Sequence, residues 1–259
     1  MPRANRYFLP GHVWHITHRC HKQEFLLKFL RDRRRWRHWL FESRKRYGLC
    51  VLNYTVTSNH IHLLVRDRGN GEIARSLQLI AGRTAQEFNQ RKGRKGAFWE
   101  DRYHATAVDT DRYLARCMTY IDLNMVRAGV VRHPEEWPLC GYREIQHPPA
   151  RYTVIDPSAL LELFGLSDMA DLQRTCREWV DDALRGAPPR REPAWSESLA
   201  VGGPQFIEAV KHRLGRQAVH RQAIHGDGAM ALREPLPSYG TDSVPEMARL
   251  SGDNAVQIG

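Results

Sequence analysis

The 259-residue chain lacks the features that mark a secreted, disulfide-stapled or membrane-spanning protein. Its five cysteines, Cys20, Cys50, Cys117, Cys140 and Cys176, are odd in number and nowhere form Cys-x-x-Cys. That spacing argues against a zinc ribbon or a disulfide framework and fits a reducing compartment. No apolar run reaches the ~18 residues that a membrane-crossing helix needs. Met-Pro-Arg-Ala-Asn-Arg at the start is not followed by an apolar segment. No signal peptide is therefore expected, and the cytoplasm is the expected compartment. No internal repeat is visible.

What the chain does have is positive charge, unevenly placed. The formal net charge is +10. Residues 1–150 hold 27 Lys and Arg against 14 Asp and Glu, a balance of +13; the remainder holds 12 against 15, a balance of −3. The basic half suits a polyanion, of which nucleic acid is the usual one. Charge sets non-specific attraction and says nothing of chemistry.

Periodicity supplies the architecture. Residues 12–19, 49–57, 60–65 and 98–108 read as strands, with β-branched and aromatic residues interleaved with polar ones. Residues 26–47 and 73–90 carry apolar residues at helical spacing. The order β-α-β-β-α-β predicts an α+β, ferredoxin-like antiparallel sheet. An extra helix follows over 111–127, with Thr110 as its expected N-cap and Gly129 at its end. His133-Pro134, Trp137-Pro138 and Pro148-Pro149 mark the way out of this domain. Residues 157–164, 169–184 and 204–214 predict a small C-terminal helical region. The expected division is a catalytic domain at 7–145, a helical accessory region at 150–215 and a disordered tail at 216–259.

The chemistry starts from Thr57 to Val65. His60, His62 and Leu64 fall on one face of that strand, and Ile61, Leu63 and Val65 on the other. Two imidazoles two residues apart point the same way, about 6–7 Å apart, and can capture one metal ion together. An isolated His-x-His more often just lines a half-exposed sheet face. The first strand's histidines split by parity, His12 and His18 against His15 and His21, and read as polar sheet surface.

A second stretch changes the weight. On the helix over 111–127, Tyr113, Cys117, Tyr120 and Asn124 form one stripe beside the apolar Leu114, Met118, Ile121 and Met125. Asn disfavours a helix body, so Asn124 needs a local partner or a function. The phenol of Tyr120 becomes a nucleophile only if its electrophile is polarised or a base takes its proton. Two histidines and an amide oxygen could hold a divalent cation as a Lewis acid on a phosphate. Attack by Tyr120 Oη on DNA would leave a 5′-phosphotyrosine link and a free 3′-hydroxyl, reversible without ATP.

With these residues in place, the chain resembles the insertion-sequence-200-like transposases, which carry an HUH motif and one tyrosine. The REP-associated tyrosine transposases are the nearest branch. Four stretches carry the resemblance, which spans roughly residues 7–145: Ser58-Asn59-His60-Ile61-His62-Leu63-Leu64, Phe98-Trp99-Glu100-Asp101-Arg102-Tyr103, Tyr120 to Gly129, and His133-Pro134-Glu135-Glu136-Trp137-Pro138. The family often has Pro where Met125 stands, and Met-Pro-Asn-His where this chain has Thr57-Ser58-Asn59-His60. The resemblance implies a metal-dependent strand transferase on single-stranded, hairpin-forming DNA. His60 and His62 would bind Mg²⁺ or Mn²⁺, Asn124 would complete the metal shell, and Tyr120 would be the nucleophile. Relatives act as a monomer or a homodimer. Phosphate contacts are expected from Arg34, Arg35, Arg91, Lys92, Arg94, Lys95 and Arg102. Arg127 is expected either to join them or to serve as a partner for the helix dipole.

Two other readings stand beside this one. A non-catalytic single-stranded nucleic-acid-binding protein of RRM-like fold, or a domesticated relative, would share the sheet and the basic surface. It lacks an RNP-like aromatic run and leaves the His60, His62, Asn124 and Tyr120 set unexplained. A replication initiator or relaxase of the same chemistry usually has a longer chain with the tyrosine in another order.

Overall fold

The computed structural model describes residues 9–186, 190–218, 221–226 and 228–234. Four of its strands are β1 (Val13–Arg19), β2 (Cys50–Val56), β3 (His60–Arg66) and β4 (His104–Val108). They pair antiparallel in the order β2-β3-β1-β4. Helix α1 (Leu30–Tyr47) joins β1 to β2, and α2 (Glu72–Lys92) joins β3 to β4. This is the ferredoxin-like arrangement expected from the periodicity.

Period-2 alternation sorts the sheet into two faces. Ile16, Tyr54, Val56, Ile61, Leu63 and Val65 are all fully or almost fully buried on one face. On the other face β1 and β3 align Thr17 with His62, β1 and β4 align His15 with Thr106, and β2 and β3 align Thr55 with His62. That face is polar, yet His15, Asn53, Thr55 and Thr106 have no exposure. Helix α3 (Arg112–Asp122) covers it, tied down by Thr55 Oγ1 donating to Ile121 O at 3.1 Å and Asn53 Nδ2 donating to Asp122 Oδ1 at 2.9 Å.

The helix expected over 111–127 is broken. Leu123 (φ −77°, ψ 6°) separates α3 from a short α4 (Asn124–Arg127), and Gly129 at φ +67° ends the run. Thr110 is not the cap. Asp111 occupies that position at φ 54°, ψ −125°, with no side-chain capping bond. The fourth strand is also shorter than expected. Residues 98–102 form no regular ladder: Trp99 bridges Cys20, stacks on His18 at 4.1 Å and donates Nε1 to Ala81 O.

The proline-marked stretch after Gly129 returns to seal the β2 edge. Trp137 Nε1 donates to Val56 O, Val56 N to Leu139 O, and Asp156 N to Val51 O. Helix α5 (Gly141–Gln146) starts where a Cβ on Gly141 would lie 2.0 Å from Asn53 Oδ1, so only glycine fits.

Helices α6 (Pro157–Phe164), α7 (Met169–Arg185) and α9 (Pro204–Leu214) occupy the three expected stretches. Between α7 and α9 lie a short α8 (Ala194–Glu197) and β5 (Ala200–Gly202), which runs parallel to β4. A hairpin of β6 (Gln222–Gly226) and β7 (Ala229–Arg233) then pairs with β5, giving the sheet order β2-β3-β1-β4-β5-β7-β6. Composition alone predicts no order after Gly215; the hairpin departs from that as far as residue 234, and residues 235–259 lie outside the described residues. A three-residue strand has too few positions to show alternation, so β5 left no sequence signal. All five cysteines are free and buried. No helix among the described residues is long and apolar enough to cross a membrane.

Candidate active site

The sheet register and the α3–α4 break bring the two chemical stretches together. Thr17, Arg19, Asn59, His60, His62, Tyr120, Asn124, Arg127 and Arg191 line one open cleft of roughly 460 Å³, and no acidic side chain lines it. His60 and His62 have ring centroids 5.0 Å apart at 77°. Tyr120 stands edge-on to His62, its ring centroid 5.9 Å away. Asn124 Nδ2 lies 2.7 Å from His62 Nε2.

Hydrogen-bond chemistry fixes the imidazole tautomers. His60 Nδ1 lies 2.7 Å from Asn59 Oδ1, which only accepts, so Nδ1 carries the proton and Nε2 is bare. His62 Nε2 faces the Asn124 amide N–H and is therefore also bare. Burial holds both rings neutral. It lowers His60 to about 4, helped by Arg19 and Arg127, and pushes His62 well below the ordinary imidazole range. Two unprotonated Nε2 atoms beside an amide form a donor set that fits a divalent cation. Among the described residues no group of three or more His, Cys, Asp or Glu could hold a metal, so such a site would depend on Asn124 or on groups from outside the protein.

Burial also raises the Tyr120 phenol, opposed by the nearby Arg127 and Arg191 cations. The Arg127 guanidinium lies over the Tyr120 ring, 3.9 Å from its centroid. Its Nη2 is buried with no partner among the described residues. Tyr120 is therefore a neutral phenol at ordinary pH, beside a cation with an unused N–H.

The other expected phosphate contacts scatter. Arg34, Lys92, Lys95 and Arg102 are exposed. Arg35 pairs with Glu87 at 2.7 Å, Arg91 with Asp32, and Arg94 with Glu24 at 3.5 Å. Arg35 and Arg91 line a different cleft, between α1 and α2.

Sequence reasoning missed four contributors. Arg19 lines the cleft from the end of β1. Arg191 reaches it from the stretch before α8, paired with Glu197 at 2.7 Å. The Trp195 ring lies 6.2 Å from that of Tyr120. His15, which parity alone assigns to polar surface, is fully buried 2.9 Å from His62 Nδ1. Parity gave its face correctly, but nothing in the sequence says that α3 and α8 cover that face.

Residues 11–124 match the profile of the family described as "Transposase IS200 like". Over this stretch, which is less than half of the chain, the protein is similar to the IS200-like transposase family. The matched span runs from the start of β1 to Asn124 and includes His60, His62 and Tyr120, so Arg127, Arg191 and Trp195 come from outside it. No curated protein matches the chain. Among solved structures it is similar to a REP-associated tyrosine transposase bound to a REP hairpin, at 19% identity and TM-score 0.48, over 60% of this chain and 94% of that one. It is also similar to a candidate transposase from Deinococcus radiodurans R1, at 15% identity and TM-score 0.34, over 46% of this chain and 94% of that one.

Proposed function

We propose that this protein is a single-strand DNA endonuclease and strand transferase of the REP-associated type. It acts in the cytoplasm, on nucleoid DNA that folds into hairpins. The observation that carries this reading is one cleft holding a buried phenol, two bare imidazole nitrogens, an amide and a guanidinium with an unused N–H.

His60 and His62, with Asn124, would hold Mg²⁺ or Mn²⁺, which when bound supplies Lewis acidity toward a phosphate oxygen. Nitrogen-rich ligation leans toward Mn²⁺, and cellular abundance toward Mg²⁺. Tyr120 Oη attacks the phosphorus, loses its proton and forms the 5′-phosphotyrosine bond. The P–O3′ bond breaks, and the 3′ oxygen leaves as a hydroxyl by taking a proton. Arg127 donates its unused N–H to a non-bridging oxygen of the scissile phosphate, where charge develops. Arg19 and Arg191 hold the flanking backbone. Catalysis belongs to residues 7–145, completed by the stretch before β5, and residues 150–215 help to recognise the hairpin. The protein acts as a monomer or a homodimer; the Tyr120 ring standing 5.9 Å from that of His62 within one chain supports action in cis.

The test is covalent-adduct formation on single-stranded hairpin DNA with Mn²⁺ or Mg²⁺. Wild type gives a metal-dependent, SDS-resistant adduct, which both Tyr120→Phe and the His60→Ala/His62→Ala double variant lose. Mixing the two variants does not restore it. Tight hairpin binding with no adduct under either metal would instead support a non-catalytic, domesticated binding protein.

A further inference from the structure

The second histidine is held by a chain of hydrogen bonds whose direction follows from its far end. His15 Nδ1 lies 2.9 Å from Trp195 O, and His15 Nε2 lies 2.9 Å from His62 Nδ1. A carbonyl oxygen only accepts, so His15 Nδ1 carries a proton. The ring is fully buried and no carboxylate hydrogen-bonds it among the described residues, so it is neutral and its Nε2 is an acceptor. His62 must then donate through Nδ1, which leaves its Nε2 with a lone pair directed at Asn124. The two rings lie edge to edge and nearly coplanar, with centroids 5.1 Å apart and planes 12° apart, so the hydrogen bond fixes His62 in rotation as well as in tautomer.

We propose that His15, anchored by the Trp195 carbonyl, is a positioning residue that holds His62 with its Nε2 bare and aimed at the metal position. The proposal rests on the metal-site reading above, and it extends that site to a residue of β1 and a backbone atom of α8. His60 needs no such support, because its neighbour Asn59 does the same work locally. His62 lies in mid-strand with both neighbours pointing to the opposite face, so its orienting group has to come across the sheet. The anchor is itself held close to the sheet: Thr106 Oγ1 donates to Ser198 O at 2.7 Å and lies 3.2 Å from Trp195 O. Trp195 lies 71 residues beyond the family-matched span, so the domain borrows its orientation from the C-terminal part of the chain.

The test reads the imidazole ¹⁵N resonances of metal-free full-length protein, then Mn²⁺ affinity by direct titration. Wild-type His62 shows a protonated Nδ1 and an unprotonated Nε2. His15→Phe keeps the ring shape but removes donor and acceptor; His62 then shifts toward the Nε2–H form and Mn²⁺ affinity falls about 10–100-fold. His15→Gln carries one donor and one acceptor and recovers most of that loss. An Nε2–H signal on His62 in the wild type overturns the proposal whether or not any variant folds. So does unchanged Mn²⁺ affinity in His15→Phe. If wild type binds neither Mn²⁺ nor Mg²⁺, the metal-site reading fails, while the wild-type tautomer still decides the hydrogen-bond order.

Discussion

The two faces of the β2-β3-β1-β4 sheet are equally buried and are held by different forces. On one, Ile16, Ile61, Leu63 and Val65 are apolar and close to 0% exposed, so area removed from water is the main stabilising term. On the other, Asn53, Thr55, His62, His15 and Thr106 are also buried, and each is satisfied by a directed hydrogen bond. A buried polar group without a partner costs about 1–3 kcal/mol, so this face tolerates one arrangement only. The apolar face supports the fold. The polar face is where orientation can be specified to a single nitrogen, and the cleft opens there.

This contrast can be broken by paired substitutions on the two faces. Leu63→Ala on the apolar face should lower unfolding free energy by about 2–5 kcal/mol, through lost transfer energy plus a cavity. Thr55→Val on the polar face changes shape little but removes the donor to Ile121 O at the α3 break. It should cost about 1–2 kcal/mol. Denaturant unfolding of both variants checks this. Equal losses would mean that the two faces are not held by different forces.

Asp122 sharpens the same point through pH. It ends α3 and is buried against the sheet; burial pushes its carboxyl up from 3.8 to about 7, opposed by the bonds from Asn53 and the Tyr142 backbone. A carboxyl whose folded pKa is raised favours the folded state when protonated, so its contribution is intact below pH 3.8 and is lost as pH rises toward 7. The loss is on the order of 4 kcal/mol at its limit. Asp122→Asn, which cannot ionise, should therefore gain on wild type between about pH 4 and 7 and run parallel to it outside that window. Chemical denaturation at several pH values measures the gap; a constant gap would place the Asp122 carboxyl near its ordinary pKa.

The same division explains how much the sequence revealed. Alternation and helical spacing gave the four central strands, the longer helices and the strand face on which His60 and His62 lie, because apolar burial leaves a period. The pairing of the strand histidines with Tyr120 and Asn124 was legible from motif and spacing. What was not legible depends on contacts distant in sequence. The break at Leu123 is stabilised by Thr55 from β2, the role of His15 is set by a backbone carbonyl 180 residues away, and Gly141 is required by the side chain of Asn53. The pairing within the cationic rim was not legible for a similar reason: a run of arginines does not show which of them already has a carboxylate partner.

That rim gives the smallest effect. Lys92 and Lys95 are exposed at the end of α2 and in the loop after it, and neither has a carboxylate partner among the described residues. Arg35 is paired bidentately with Glu87, so contacting a phosphate would cost it that pair. An unpaired cation releases counterions from DNA, contributing about one unit to the slope of log affinity against log salt. Lys92→Ala/Lys95→Ala should therefore flatten that slope for hairpin DNA by about two, weaken all DNA sequences alike and leave the adduct yield at saturating DNA unchanged. Arg35→Ala should flatten it by less than one. A larger slope change for Arg35 than for the lysine pair would move the DNA path from the loop after α2 into the cleft between α1 and α2.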